Sequence, residues 1–488
     1  MNRFLALLSL LFITGSVISY AQTDSLRMRI ETHGVLSTGS TAPFWTVHGK
    51  EGLREPDARS AQIVLGGSYH HSISDRWDLS AELSGIVSTG RTPFYHLQRA
   101  GVSVSHPLIE LKVGALPYRH SLDFSTLSSG AMTMSDNISP IPMVMLRTPD
   151  FLSLPYTQDF ASVYVDFGVG KLWDGTYLAH YIPERSVGHY TLNPNWHSKA
   201  FYLRLGRRRA DFPLLFTLGG IHAAQWGGKD TREERSKPAT FSDFLRVVLA
   251  KSGGEEASVS DQINVLGNHF GHYLLQLDYY SPIGRWQAYN QHYFEDKSGM
   301  EWSNGGDGLW GVRWCTDRPG IVKDLLVEYL TTLNQSGGFH ILQFHRPNGE
   351  GRGGGADNYY NNGEYAQGTT YMGMGIGNPL LLSPLYNTKP MVGGFRDNRL
   401  QAVHFGMGGD LPYHISYSMK LSWVKSMGLM GSPHAEPRHG VFSYISATVP
   451  LKRIPGLTMH VEGGLDGGDY TPKSAGLGIG LIYCPSLF

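Results

Sequence analysis

Apolar side chains alternate with polar residues or glycine along most of this chain. Between Trp77 and Val87, the positions Trp77, Leu79, Ala81, Leu83, Gly85 and Val87 interleave with Asp78, Ser80, Glu82 and Ser84. A period of two places the two sets on opposite faces of a strand. The same pattern recurs at 26–30, 109–115, 163–169, 201–205, 214–218, 273–279, 286–294, 325–331, 339–345, 413–423, 441–449 and 457–465. Weaker runs centre on Ile63, Val102, Trp310 and Phe405. The last run, 475–488, alternates Leu477, Ile479, Leu481 and Tyr483 with Gly478, Gly480 and Ile482 and closes on Phe488, with Pro485 interrupting it. The count is about eighteen strands with no long amphipathic helix to cover a sheet. That number fits a closed transmembrane barrel, whose first and last strands must pair because lipid satisfies no open sheet edge. A barrel of that size has a lumen too wide for wall side chains alone to fill.

Two long stretches break the rhythm. From Ala223 to Gly271 the spacing turns helical: Thr240 and Asp243 form a capping-box-like start, and Phe241, Phe244, Leu245, Val248 and Leu249 follow. Gly253-Gly254 ends that helix, and Ser260-Asp261 opens a short second turn closed by Gly267. These helices need an apolar partner, so the expectation is a small helical insertion, about 223–271, that closes the periplasmic mouth. The second stretch, about 346–400, is rich in Gly, Asn and Tyr and reads as a long extracellular loop region. The segments 34–60 and 117–160 read as shorter loops, and the 171–198 connection falls on the periplasmic side of this count.

Composition narrows the class. With 60 Gly among 488 residues and 17% charged residues, neither a coiled coil nor a disordered tail fits. Aromatics at 12% suit interfacial girdles or a sugar-binding surface. Basic and acidic residues number 41 each, which gives no support to a nucleic-acid partner. Residues 1–21 read as a cleaved signal peptide: Arg3, an apolar core from Phe4 to Ile13, then Ser19-Tyr20-Ala21 before Gln22. Residues 22–488 are then the barrel. Cys315 and Cys484 stand far apart, as a pair or as two lone thiols.

Several segments carry a family likeness when taken together and in order. They are Gly219-Gly220-Ile221-His222 with Trp226-Gly227-Gly228, the 241–249 helix, Asn264-Val265-Leu266-Gly267-Asn268-His269-Phe270-Gly271, and the 197–206 run HSKAFYLRLG. In these the chain resembles the Wzi family of capsule-assembly proteins. The resemblance spans most of the mature chain. It implies an eighteen-stranded outer-membrane barrel with a periplasmic helical bundle, acting as a lectin that holds capsular polysaccharide on the cell. No sugar-contacting position of the family maps onto this chain by motif.

Candidate chemistry is sparse. Asn268 and His269 read as turn chemistry after a helix end at Gly267, and His222 and Trp226 as a link from a strand to the insertion. Gly353-Gly354-Gly355 lacks the Gly-Lys-Ser/Thr of a phosphate loop, and no Gly-x-Ser-x-Gly elbow selects a nucleophile. Asp307, within Asn304-Gly305-Gly306-Asp307-Gly308, is either a calcium ligand or part of a glycine turn. No pair among 21 His has convincing ligand spacing, so neither metal nor cofactor is expected. The run 357–367 offers the sharper hypothesis. Tyr359, Tyr360 and Tyr365 have faces that can stack on pyranose rings, while Asp357, Asn358, Asn361, Asn362 and Glu364 match sugar hydroxyls. The alternative is a surface loop whose aromatics pack on neighbouring loops.

The reading that results is an all-β, non-enzymatic, monomeric outer-membrane barrel. Its partners would be outer-membrane lipid and a capsular or exopolysaccharide. A diffusion channel is the alternative, an outer-membrane hydrolase ranks below it, and a soluble periplasmic β-protein is the remaining option.

Overall fold

The computed structural model describes residues 24–89, 94–118, 122, 125–181, 190–207, 213–231, 236–338, 355–387 and 394–485. The leader at 1–21, the expected strand at 339–345 and Phe488 lie outside the described residues.

Eighteen strands form one antiparallel sheet closed on itself. In chain order they are β1 Asp24–Thr41, β2 Asp57–Ser74, β3 Trp77–Ser88, β4 Phe94–His106, β5 Ile109–Ala115, β6 Pro142–Arg147, β7 Ala161–Lys171, β8 Asn195–Gly206 and β9 Leu214–Trp226. There follow β10 Asn268–Ser281, β11 Gly284–Phe294, β12 Gly308–Cys315, β13 Asp324–Thr331, β14 Leu400–Leu411, β15 Ile415–Gly428, β16 Pro433–Pro450, β17 Leu457–Gly468 and β18 Ser474–Tyr483. A two-residue piece, Leu152–Ser153, extends β6 along β7. Closure is by β1 against β18, from Ile30 opposite Tyr483 to Ser37 opposite Gly476. Pro485 has no N–H to give, yet its carbonyl accepts from Met28 N at 3.2 Å, so the chain still follows β1 past the proline.

Alternation sorts the wall into two faces. Leu65, Val102, Leu111, Val165, Phe201, Phe216, Leu277, Val312, Val327, Phe405, Leu421, Ile445 and Ile479 are exposed and form a belt around the outside. Gln62, Asp166, Thr217, Gln276, Gln291, Glu328, His404, Ser422 and Glu462 point inward and are buried. Apolar outside and polar inside is the arrangement lipid selects. The described cysteines, Cys315 and Cys484, are both free thiols.

Asp24 and Tyr483 lie at one end with the tight turns at 75–76, 107–108 and 282–283. The opposite end carries the connections 42–56, 116–141, 172–194, 227–267, 295–307 and 332–399. Short turns face the periplasm and long loops the exterior. Several expectations are corrected by this arrangement. The 117–160 stretch is not all loop, because it contains β6. The 34–60 stretch is strand up to Thr41 and again from Asp57. With β6 restored, the 171–198 connection and the helical insertion both move to the exterior end. The insertion is also shorter than 223–271, because residues 223–226 belong to β9 and 268–271 to β10.

The lumen is filled from the exterior end by loops. The short helix α1, Phe44–Val47, is wholly buried: Phe44 stacks on Phe442 (ring centroids 4.3 Å apart) and Trp45 Nε1 donates to Ser422 Oγ at 3.0 Å. Residues 125–139 lie across the lumen, where Ser128 Oγ and Ser129 N both donate to Glu328 at 2.6 and 2.7 Å. The third layer, 355–387 with 394–399, buries Ile376, Leu380, Leu381 and Phe395 completely. These residues form one continuous core with the inward wall, a plug.

Candidate functional site

The run 357–365 is part of the plug's upper layer. Tyr359, Tyr360 and Tyr365 are each at most 1% exposed. Tyr359 meets Tyr293 edge-on at 4.8 Å, accepts from Asn304 Nδ2 at 2.8 Å and donates to Asp307 Oδ2 at 3.3 Å. The Tyr360 hydroxyl donates to Met132 O and accepts from Asn378 N at 3.0 Å, which ties two plug layers together. Tyr365 OH donates to Gly227 O at 3.3 Å, with Lys237 Nζ 5.5 Å above its ring. In this conformation none of the three presents a face to a pyranose, so the stacking role expected of them is corrected: they are the frame of the loop.

The polar members sit differently. Asn358 is exposed, while Asn361, Asn362 and Glu364 are half-buried. Asn361 exchanges two bonds of 2.8 Å with the Phe395 backbone. Glu364 pairs with Lys237 at 2.5 Å, and Lys237 keeps its carboxyl below the usual range against the opposing effect of burial. Asp357 is buried and accepts from Ser336 Oγ at 2.7 Å. Asn398, absent from the sequence reading, donates to Asn358 Oδ1 at 2.6 Å and to Tyr359 O at 2.7 Å. Its only sequence signal was one more Asn in an Asn-rich loop.

The motif segments around the insertion meet this loop. Asn268 Nδ2 donates to Gln225 Oε1 at 2.9 Å and to Thr369 Oγ1 at 3.2 Å, and its Oδ1 accepts from Asn362 at 3.2 Å. His222 and His269 bond ring to ring at 2.9 Å, and His269 reaches Leu266 O at 2.9 Å. Asn264 ends a short helix, Val259–Ile263, by donating to Ser260 O. Gly267 has φ +95°, and a Cβ there would lie 2.5 Å from Gln225 O. Gly271 is pressed equally hard, with Phe294 2.6 Å from its virtual Cβ. Gly227 and Gly228 turn the chain with φ +63° and +87°, and Trp226 packs on Val247 and Leu266. These residues set a close junction between wall, insertion and plug.

Charges inside the junction are held neutral or fully bonded. Glu295 accepts from Tyr360 N at 2.6 Å and Tyr293 OH at 2.8 Å, and burial pushes its carboxyl up to about 8. Asp307 accepts from the Asn334 and Gln335 N–H groups at 3.1 and 2.8 Å, so its carboxylate serves the turn. Among the described residues no group of three His, Cys, Asp or Glu is placed to hold a metal ion.

A search of curated sequences gives no match. Among solved structures, the fold is similar to that of the Escherichia coli outer-membrane protein Wzi, involved in group 1 capsule assembly and described as a carbohydrate-binding β-barrel. That alignment has a TM-score of 0.56 at 14% identity and covers 93% of this chain and 83% of that one. Two Pseudomonas aeruginosa barrels also align: OccK5 (TM-score 0.49, 9% identity, 96% and 100% covered) and OpdQ (0.47, 7%, 96% and 100%). The model of the family described as capsule assembly protein Wzi matches residues 66–380. That match takes in more than half of the chain, including β3 to β13, the insertion and most of the plug, and so this outer-membrane barrel belongs to the Wzi capsule assembly family.

Proposed function

We propose that the protein binds capsular or related surface polysaccharide at its exterior loop face and helps to retain it on the cell, without catalysis. The observation that carries this reading is the plug. Three loop segments fill the lumen and leave the loop face, not a channel, as the working surface. Family membership supplies the class of ligand. The exposed amide of Asn358, with the accessible parts of Asn361, Asn362 and Glu364, would contact sugar hydroxyls over the buried tyrosine frame. Contacts of this kind are individually weak, and repetition along a polymer compensates through effective concentration. The barrel works as a monomer with its apolar belt in outer-membrane lipid.

The test is a deletion strain in which surface polysaccharide is quantified in washed cells and in the medium. Retention predicts an unchanged total that moves from cells to medium. Polymer that stays on the cells in full removes the reading. A diffusion channel would instead show steady conductance in planar bilayers, which the plug opposes.

A further inference from the structure

The helix of the insertion does not lie over the barrel mouth. On β8, Ala200 and Tyr202 face the lumen, so His197, Lys199 and Phe201 face outward. On β9, Ile221, Ala223 and Gln225 face in, which turns His222, Ala224 and Trp226 out. On β10, His272 bonds to Thr133 of the plug, so His269 and Gly271 are on the outside. The helix Phe241–Val248, here α3 (the helix Gly175–Tyr181 being α2), packs on that outward patch. The Phe244 ring lies 6.1 Å from His197, 5.8 Å from Trp226 and 6.4 Å from Phe167 of the belt. Val247 is fully buried among Ala224, Trp226, Ala257 and Leu266. Lys199 Nζ donates to Val248 O and pins the helix end to the wall. The helix is strapped to the outer surface of the barrel.

Its other face is also apolar. Phe241, Leu245 and Leu249 recur at four-residue spacing, the separation that stacks side chains on one helix face, and are 74%, 44% and 61% exposed. Val259 of the following turn is 72% exposed. On the wall beneath, Phe201 and Val165 lie opposite one another two residues below Lys199, a drop of about 7 Å along a strand. Both belong to the exposed belt. The stripe on α3 thus continues the surface that the barrel gives to lipid. Its Thr240–Asp243 capping box, which satisfies the helix start internally, lets that end approach a poorly hydrated layer.

We propose that α3 is an interfacial helix lying in the outer leaflet, with Phe241, Leu245 and Leu249 among lipid acyl chains. A second membrane contact of this kind would hold the insertion, and through Asn268 and Tyr365 the plug loop, at a set height above the bilayer.

Nitroxide labels at Leu245→Cys and, separately, Leu249→Cys test this in the full chain with Cys315→Ser and Cys484→Ser. The protein is reconstituted in vesicles of phosphatidylcholine and phosphatidylglycerol, and heat-modifiable gel migration confirms that each variant folds. Phe201→Cys serves as the belt control and Asn358→Cys as the loop control. Both labels are expected to be more accessible to oxygen than to a water-soluble nickel chelate, as at Phe201. Chelate accessibility matching Asn358 at both positions overturns the proposal. So does dipolar broadening that disappears on dilution with unlabelled protein, which assigns the stripe to a second copy of the chain.

Discussion

Asn362, in the plug loop, donates its side-chain amide to Asn268 Oδ1 at 3.2 Å, and Asn268 is the first residue of a barrel strand. Through this one carboxamide the loop, the wall residue Gln225 and Thr369 of the plug are held to one another.

Replacing Asn268 with Ala leaves buried partners on Gln225 and Thr369 unsatisfied, at a cost of about 1–3 kcal/mol. Asn362→Ala, at a half-buried position, costs less. Limited proteolysis of detergent-solubilised barrel should cut the 355–387 segment faster in Asn268→Ala than in Asn362→Ala. Equal rates in both variants and the parent chain would show that the junction does not hold the loop.

Tyr360→Ala removes a buried ring between Tyr293 and Phe395 together with the hydroxyl that reaches Met132. Deleting a buried aromatic costs about 3–5 kcal/mol, and here the loss falls on the joint between two plug layers. Planar-bilayer recordings should show flickering conductance in the variant against a quiet parent. A silent variant with native migration would show that the plug closes without this joint.

A second anchor lies deeper. Glu462 accepts from Tyr444 OH at 2.8 Å and stands 2.8 Å from His33 and 3.5 Å from Lys50, while Arg54 reaches Glu31 at 3.2 Å. Lys50 and Arg54 belong to the 42–56 connection inside the lumen. Glu462→Ala strips one charge from this cluster, and breaking a buried pair costs about 3–5 kcal/mol. The unfolding midpoint should fall clearly further than for Glu462→Gln, which keeps an acceptor for the Tyr444 hydroxyl.

The plug should loosen as pH rises. Glu295 is protonated in the native loop up to about 8, against an ordinary 4.5, and Asp174 behaves alike, up to about 8 from 3.8, both through burial. Across that window the native state holds protons that the opened loop releases, so stability is full at the acidic end and declines towards the alkaline end. Glu295→Gln should flatten the part of this slope that Glu295 supplies, read as protease susceptibility across the pH range. An unchanged slope would remove Glu295 from the explanation.

The run PMVMLR at 142–147 conceals one barrel strand, and with it the direction of the strands that follow. Val144 and Leu146 face lipid, but Met143 and Met145 on the inner face meet the plug and are buried. With both faces apolar the alternation vanishes, although a strand is there. Omitting it reverses the strands read from 163 to 331, which sent the insertion to the periplasmic end. The tyrosines pose a different difficulty. Tyr360 finds its partner at Met132, 228 residues away, and composition alone reads the same for a surface loop and a plug.

Closure into a large barrel is legible along the chain, since a period of two imposed by lipid on one side and polar contacts on the other is written locally in each strand. So is the helix start at Thr240–Asp243, because capping is chemistry between near neighbours. That 355–387 and 394–399 turn into the lumen, that α3 lies on the outer wall, and that Asn358 rather than Tyr359 meets solvent is set by the tertiary fold. Those outcomes rest on contacts between residues far apart in the chain, where burial depends on what folds against a residue and not on the residue itself.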